Sequence, residues 1–286
     1  MARITVNGIG IEYELLGPEG AAAVAVTPGG RMSKDADGVR QLGEAIAAGG
    51  RRVLLWDRPN CGQSDLCFEG ESEAAMQGET LTGLIRALGL GPATLVGGSA
   101  GSRTSLFAAS HDPEVVSHLV QWWISAGTLS LMSLGNAYFC EPAIAASVGG
   151  MEAVAGLVTF AEPLARNPRA REVLLTQDTD AFIATMERWA RAFVPVEGSL
   201  VPGLSRDRID RITMPTLVMR GSPRDLYHPD WTSERLDEML PNSTLADPPW
   251  SEEEFLTVWA EANRTGTGHL SLWPRLAGPI LAFTAG

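Results

Sequence analysis

The sequence predicts an α/β architecture: a mostly parallel central sheet, helices on both faces, and a helical cap inserted between two strands. Three observations predict it. Short, continuously apolar runs alternate with helical runs from the N-terminus to about Ile124, the pattern of strands buried on both faces. The alternation then stops, and residues 127–211 read as helices alone. It resumes at Thr216–Arg220 and continues through Trp231–Leu240 and Ser243–Ala246. A helical block between two sheet strands is a cap, not a linker-joined domain. The expected core is therefore 1–126 with 212–286, and the expected cap is 127–211.

Taken in order, Arg3–Val6 and Ile9–Leu16 read as strands around an Asn7-Gly8 turn. Ala22–Thr27 is a small apolar run that ends in Pro28-Gly29-Gly30, hence a buried strand and a loop. Gly38–Ala48 has helical spacing and is closed by Gly49-Gly50. Arg52–Asp57 reads as a strand, Arg58 to Asp65 as a turn-rich loop, and Glu73–Leu88 as a helix ending at Gly89. Ala93–Val96 is a strand, Ser102–His111 a helix and Val115–Ile124 a further buried strand. In the cap, Leu129–Cys140, Met151–Leu164 and Asp180–Phe193 carry helical spacing, punctuated by Pro142, Pro163, Pro168 and Pro195. Glu252–Asn263 reads as a helix, and Leu270–Phe283 as a C-terminal amphipathic run.

Length and composition narrow the function classes. At 286 residues, 45% hydrophobic and 20% charged, the chain can bury a large core. A net charge of −12 argues against nucleic acid or an anionic membrane surface as partner. The N-terminus has no apolar signal core, and no stretch approaches the ~20 apolar residues of a membrane helix, so a cytoplasmic protein is expected. Cys61, Cys67 and Cys140 are odd in number and not at metal spacing, so reduced thiols and no metal are expected. A small-molecule substrate is the expected partner, and a homo-oligomer stays open.

The most informative stretch is Gly97-Gly98-Ser99-Ala100-Gly101, a G-x-S-x-G pattern between a predicted strand and a predicted helix. The pentapeptide alone is a common chance match; its context carries the reading. A strand, sharp turn and helix form a nucleophile elbow, with the serine at its tip. The Ala100 N–H would then face a developing oxyanion beside the positive end of the helix. Thr27-Pro28-Gly29-Gly30-Arg31, after the third strand, could supply a second donor, with Gly30 as the candidate. Asp225 follows a predicted strand, where the catalytic groups of parallel sheets gather. A base for Ser99 must titrate near neutral pH, which makes histidine the default. His111 and His118 lie at the far end of the sheet, leaving His228 and His269.

With these residues in place, the sequence resembles the α/β-hydrolase fold family over essentially its whole length. Asp57 to Asp65 is similar to the family's D-x-R-G-x-G-x-S-D loop, departing at Pro59 and Asn60. Asp225 with His228-Pro229 resembles its acid loop, and Gly268-His269 its base before the last helix. The resemblance implies Ser99 as nucleophile, Asp225 as orienting acid and His269 as base. His228 lies three residues from Asp225 on one loop, so it is not expected to have Asp225 behind it and Ser99 in front. Two departures stand out: Pro28-Gly29 replaces the family's His-Gly, and Asp247 to Gly268 intervenes before the base.

The implied chemistry is hydrolysis of a carboxylic ester or lactone through an acyl-enzyme, with no cofactor. A proline iminopeptidase-like activity, carbon–carbon bond hydrolysis on the same triad, and a non-catalytic small-ligand receptor are the alternatives. The cap's aromatic content suggests a small, largely apolar substrate. Arg31, Trp123, Tyr138, Phe160, Trp189 and His228 are the candidate substrate contacts.

Overall fold

The structure, a computed structural model, describes residues 2–196 and 199–285. Eight strands form one sheet: β1 (Ala2–Val6), β2 (Ile9–Leu16), β3 (Ala23–Thr27), β4 (Arg52–Trp56), β5 (Ala93–Gly98), β6 (Val116–Trp122), β7 (Thr216–Met219) and β8 (Ser243–Ala246). Their spatial order is β1-β2-β4-β3-β5-β6-β7-β8. β1 and β2 form an antiparallel hairpin, and β2 pairs antiparallel with β4. From β4 through β3 to β8 every pairing is parallel. The fold class is the one the sequence predicts.

The helices divide between the two faces of the sheet. On the core they are α1 (Val39–Ala48), α2 (Glu73–Ala87) and α3 (Ala100–His111). Six follow between β6 and β7: α4 (Thr128–Gly135), α5 (Glu141–Ala155), α6 (Val158–Arg166), α7 (Ala170–Leu175), α8 (Thr179–Arg191) and α9 (Arg206–Ile209). The chain closes with α10 (Asp230–Met239), α11 (Glu252–Thr265) and α12 (Ala277–Phe283). Alternation along the central strands sets the two cores. Val24 and Val26 face α1 and α12 with Leu42, Ile46 and Ile280. Ala23 and Ala25 face α2 and α3 with Leu81, Leu84 and Leu106. Strands buried on both faces must be apolar at every position, which is why they read as continuous runs.

The region between β6 and β7 differs from the sequence reading in detail. Pro142 does not end a helix; it is the second residue of α5, directly after a helical turn of wider pitch. Asn136–Cys140 is a π-helical turn between α4 and α5. Gly149 and Gly150 depart from helical geometry inside α5. The run Thr128–Arg166 is nevertheless long and apolar enough to cross a membrane by length and composition. That differs from the expectation that no such stretch exists. Ile144, Val148 and Val158 stand exposed along it.

An ion cluster ties α6 to the core. The Arg166 guanidinium lies 2.6 Å from Asp35, which also meets Arg40 at 2.7 Å and Lys34 at 2.8 Å. Partial burial pushes the Asp35 carboxyl up; hydrogen bonds from Lys34, Arg40 and Arg166 outweigh it and hold the group well below the usual carboxylate range. A depressed folded-state pKa stabilises above the unfolded value, near ~4, and that contribution is lost as pH falls through the folded value. Urea unfolding of Asp35→Asn beside the parent should show a stability gap that is constant above about pH 5 and narrows below about pH 4. A gap independent of pH would mean that the cluster acts by packing alone.

Candidate active site

Ser99 sits between β5 and α3 with φ 58° and ψ −121°, a backbone conformation rare for a residue with a side chain. The glycines around it make that turn sterically feasible. A Cβ on Gly97 would stand 2.5 Å from the Gly101 carbonyl carbon, and one on Gly101 would run into the Thr27 carbonyl oxygen. The G-x-S-x-G spacing therefore follows from how closely β3, β5 and α3 approach. Two backbone carbonyls, those of Trp122 and Trp123, accept from the Ser99 N–H and hold the tip in place.

Ser99 Oγ lies 2.9 Å from His228 Nε2, and His228 Nδ1 lies 2.8 Å from Asp225 Oδ2. Asp225 and His228 are each only 4% exposed, so water scarcely competes for these bonds. The two residues between them, Leu226 and Tyr227, form the turn that makes the arrangement feasible. Asp225 Oδ1 accepts the N–H groups of Tyr227 at 2.8 Å and His228 at 3.2 Å. The backbone thus wraps around one carboxylate oxygen and leaves the other for the imidazole. Burial pushes the Asp225 carboxyl up, but the hydrogen bonds and charge of His228, with the two amides, hold it below the usual range. It stays ionised and fixes Nδ1–H on the ring, so that Nε2 faces the serine hydroxyl as acceptor.

This corrects the expectation for His269. Its ring packs edge-on against Trp259, with centroids 5.2 Å apart, and its Nε2 lies 3.4 Å from Asn263 Oδ1. Two indoles link it to the site: Trp259 abuts Trp123 at 5.9 Å, and Trp123 stacks on His228 at 5.6 Å. Trp250, Phe255 and Trp273 also pack on Trp123. The segment between β8 and His269 thus packs aromatic rings on Trp123, which in turn stacks on His228, and His269 lies beyond Trp259. Asp225 lies behind His228, despite standing on the same loop, because an Asx turn joins them. That turn reverses the chain within three residues.

Of the remaining candidates, all but Phe160 border a small cavity at the start of α3, on whose wall neither Ser99 nor His228 lies. Gly30 (φ 49°) and Ala100 line it together with Arg31. Arg58 Nη2 donates to the carbonyls of Gly29 at 3.2 Å and Gly30 at 2.6 Å and so fixes that loop. Arg31 pairs with Glu73 at 3.1 Å and lies over the rings of Tyr138 and Phe160. Trp189 is fully buried and donates to the Gly70 carbonyl. Phe160 packs on Phe68 and does not border the cavity. The cavity volume is about 10 Å³, room for about one water molecule. Its wall mixes aromatics with arginines, which corrects the largely apolar pocket expected from cap composition.

Sequence reasoning missed Ser125, whose Oγ lies 3.4 Å from Ser99 Oγ, and the buried Arg58 and Arg103. Arg103 was findable, one helical turn after Ser99 on α3. Ser125 gives no local signal, because only the packing of the segment after β6 beside the elbow brings it near.

Comparison with known proteins bears on the fold. A family profile described as alpha/beta hydrolase fold matches residues 26–121. An enol-lactonase from Burkholderia xenovorans LB400 superposes with a TM-score of 0.61 at 17% identity, covering 100% of both chains. A 2-hydroxy-6-oxononadienedioate/2-hydroxy-6-oxononatrienedioate hydrolase from Burkholderia vietnamiensis is 38% identical over 77 residues, 27% of each chain. The mouse (Mus musculus) sn-1-specific diacylglycerol lipase ABHD11 is 44% identical over 71 residues, 25% of this chain and 22% of the lipase. The chain thus spans about a quarter of the length of the curated relatives it matches. At such identity the structural likeness establishes the fold.

Proposed function

We propose that this chain, which has the α/β-hydrolase fold and matches that family's profile over residues 26–121, is a serine hydrolase of a small carboxylic ester or lactone. The observation that carries the proposal is the Ser99–His228–Asp225 chain of short hydrogen bonds at a strained elbow. Ser99 Oγ attacks the carbonyl while His228 Nε2 takes its proton, and the Asp225 carboxylate stabilises the imidazolium that forms. Trp123, stacked on His228 at an interplanar angle of 17°, offers a π-face to that cation. The Gly30 and Ala100 N–H groups receive the oxyanion; loss of one such donor typically costs ~3 kcal/mol. The leaving group takes the proton from His228, and a water then repeats the attack on the acyl-enzyme. Residues 127–211 act as the cap, bringing Tyr138, Phe139, Trp189 and Phe193 to the cavity wall. The enol-lactonase likeness supports ester or lactone over amide as the bond cleaved.

Reaction of the protein with a fluorophosphonate, followed by peptide mapping, together with turnover of para-nitrophenyl acetate, tests the reading. Labelling on the Ser99 peptide and measurable hydrolysis are expected. Absence of both would leave a ligand receptor on a hydrolase scaffold.

A further inference from the structure

Three guanidinium groups border the cavity beside the elbow, those of Arg31, Arg58 and Arg103. Among the described residues, Glu73 is the one carboxylate on its wall. Glu73 is already engaged, accepting from Arg31 at 3.2 Å and from Asn60 at 3.0 Å. Arg58 spends its Nη2 on the Gly29 and Gly30 carbonyls. Arg103 is 7% exposed, and its Nη1 meets no hydrogen-bond partner among the described residues. Arg31 Nε is likewise unpartnered. Arginine keeps its charge at any physiological pH; Arg31 is paired with Glu73, so Arg58 and Arg103 are the guanidinium groups left without a carboxylate on this wall. Burying an unpaired charge is costly, and donors left open in a cavity mark the place of an absent acceptor.

We propose that Arg103 and Arg31 form a carboxylate subsite, so that the substrate is an ester or lactone carrying a free carboxylate group. The proposal rests on the serine-hydrolase reading for the bond cleaved, but not for the binding of the anion. The chain places the two arginines suitably. Arg31 follows Gly30 directly, and Arg103 lies one turn of α3 beyond Ser99. A group held there is therefore anchored beside the oxyanion donors. A guanidinium pairs two donors with two carboxylate oxygens, which fixes orientation as well as charge. The Phe193 ring, 4.8 Å from the Arg103 guanidinium carbon, roofs the subsite. The volume of about 10 Å³ does not hold a carboxylate as it stands, so occupancy of the subsite requires the wall beside Arg103 to open.

Two measurements on the intact protein test this. The first is calorimetric titration with glutarate. The second is kcat/KM for a para-nitrophenyl ester ending in a carboxylate, compared with its neutral methyl-ended counterpart. Saturable glutarate binding is expected, with a preference for the acidic ester on the order of 10²-fold. In Arg103→Met that preference should collapse and glutarate binding should weaken at least about 10-fold; Arg103→Lys should recover part of both. If Arg103→Met does not fold, the wild-type titration and preference decide. No glutarate binding and equal rates on the two esters would overturn the subsite. That result, with Ser99 still labelled by fluorophosphonate, would leave the hydrolase reading standing. Glutarate binding without labelling or turnover would instead remove the hydrolase reading and keep the anion site.

Discussion

Ser99→Ala is expected to lower kcat by roughly 10⁴- to 10⁶-fold, the range seen when the nucleophile of such a unit is removed, and to abolish fluorophosphonate labelling. Fold and stability should change little. Alanine tolerates the φ 58° tip about as well as serine, and the Trp122 and Trp123 carbonyls hold the backbone N–H, not the side chain. The lost hydroxyl contacts only His228 Nε2 and, more weakly, Ser125 Oγ. Circular dichroism and urea unfolding check the fold, and labelling with intact-mass detection checks the site. Full labelling of the variant would make another hydroxyl the nucleophile, with Ser125 the first to examine.

His228→Ala is expected to remove acylation to a comparable degree, whereas His269→Ala should leave it within a few-fold of the parent. The two histidines differ in what they touch. His228 bridges Ser99 and Asp225, while His269 touches Trp259 and Asn263 on the outer side of the aromatic cluster. Removing His228 also strips Asp225 of its ring partner inside a buried turn. A stability loss of about 1–3 kcal/mol is therefore expected as well. Burst kinetics separate the two effects: a folded His228→Ala protein should show no burst of nitrophenol, and His269→Ala a full one. The reverse result would assign the base to His269 and require the aromatic cluster around Trp123 to open in the working enzyme.

Much of this molecule is legible from local sequence. Continuous apolar runs give buried parallel strands, because a strand covered on both faces has no polar side to display. Gly97, Ser99 and Gly101 identify the elbow, since only glycine fits where β3, β5 and α3 crowd together. Asp225 is legible as a polar residue just past the end of a parallel strand. The boundaries of the cap helices are less so. Pro142 and Pro163 look like breakers in a string of letters, yet in space one is the second residue of α5 and the other lies within α6.

What the sequence by itself determined is the sheet, its helical layers and two members of the site, because each follows from periodicity or from a steric requirement acting over a few residues. Which histidine meets Ser99 was decided only by tertiary structure. His228 and His269 are equivalent as letters. What separates them is a turn in which Asp225 binds the amides of Tyr227 and His228 with one oxygen and the imidazole with the other. The second deciding factor is a wall of indoles between His269 and the serine. The charged cavity is tertiary for the same reason. Arg31, Arg58 and Arg103 come from a loop after β3, a loop after β4 and a helix after β5. They share one cavity wall only because parallel strands bring the segments that follow them to the same edge of the sheet.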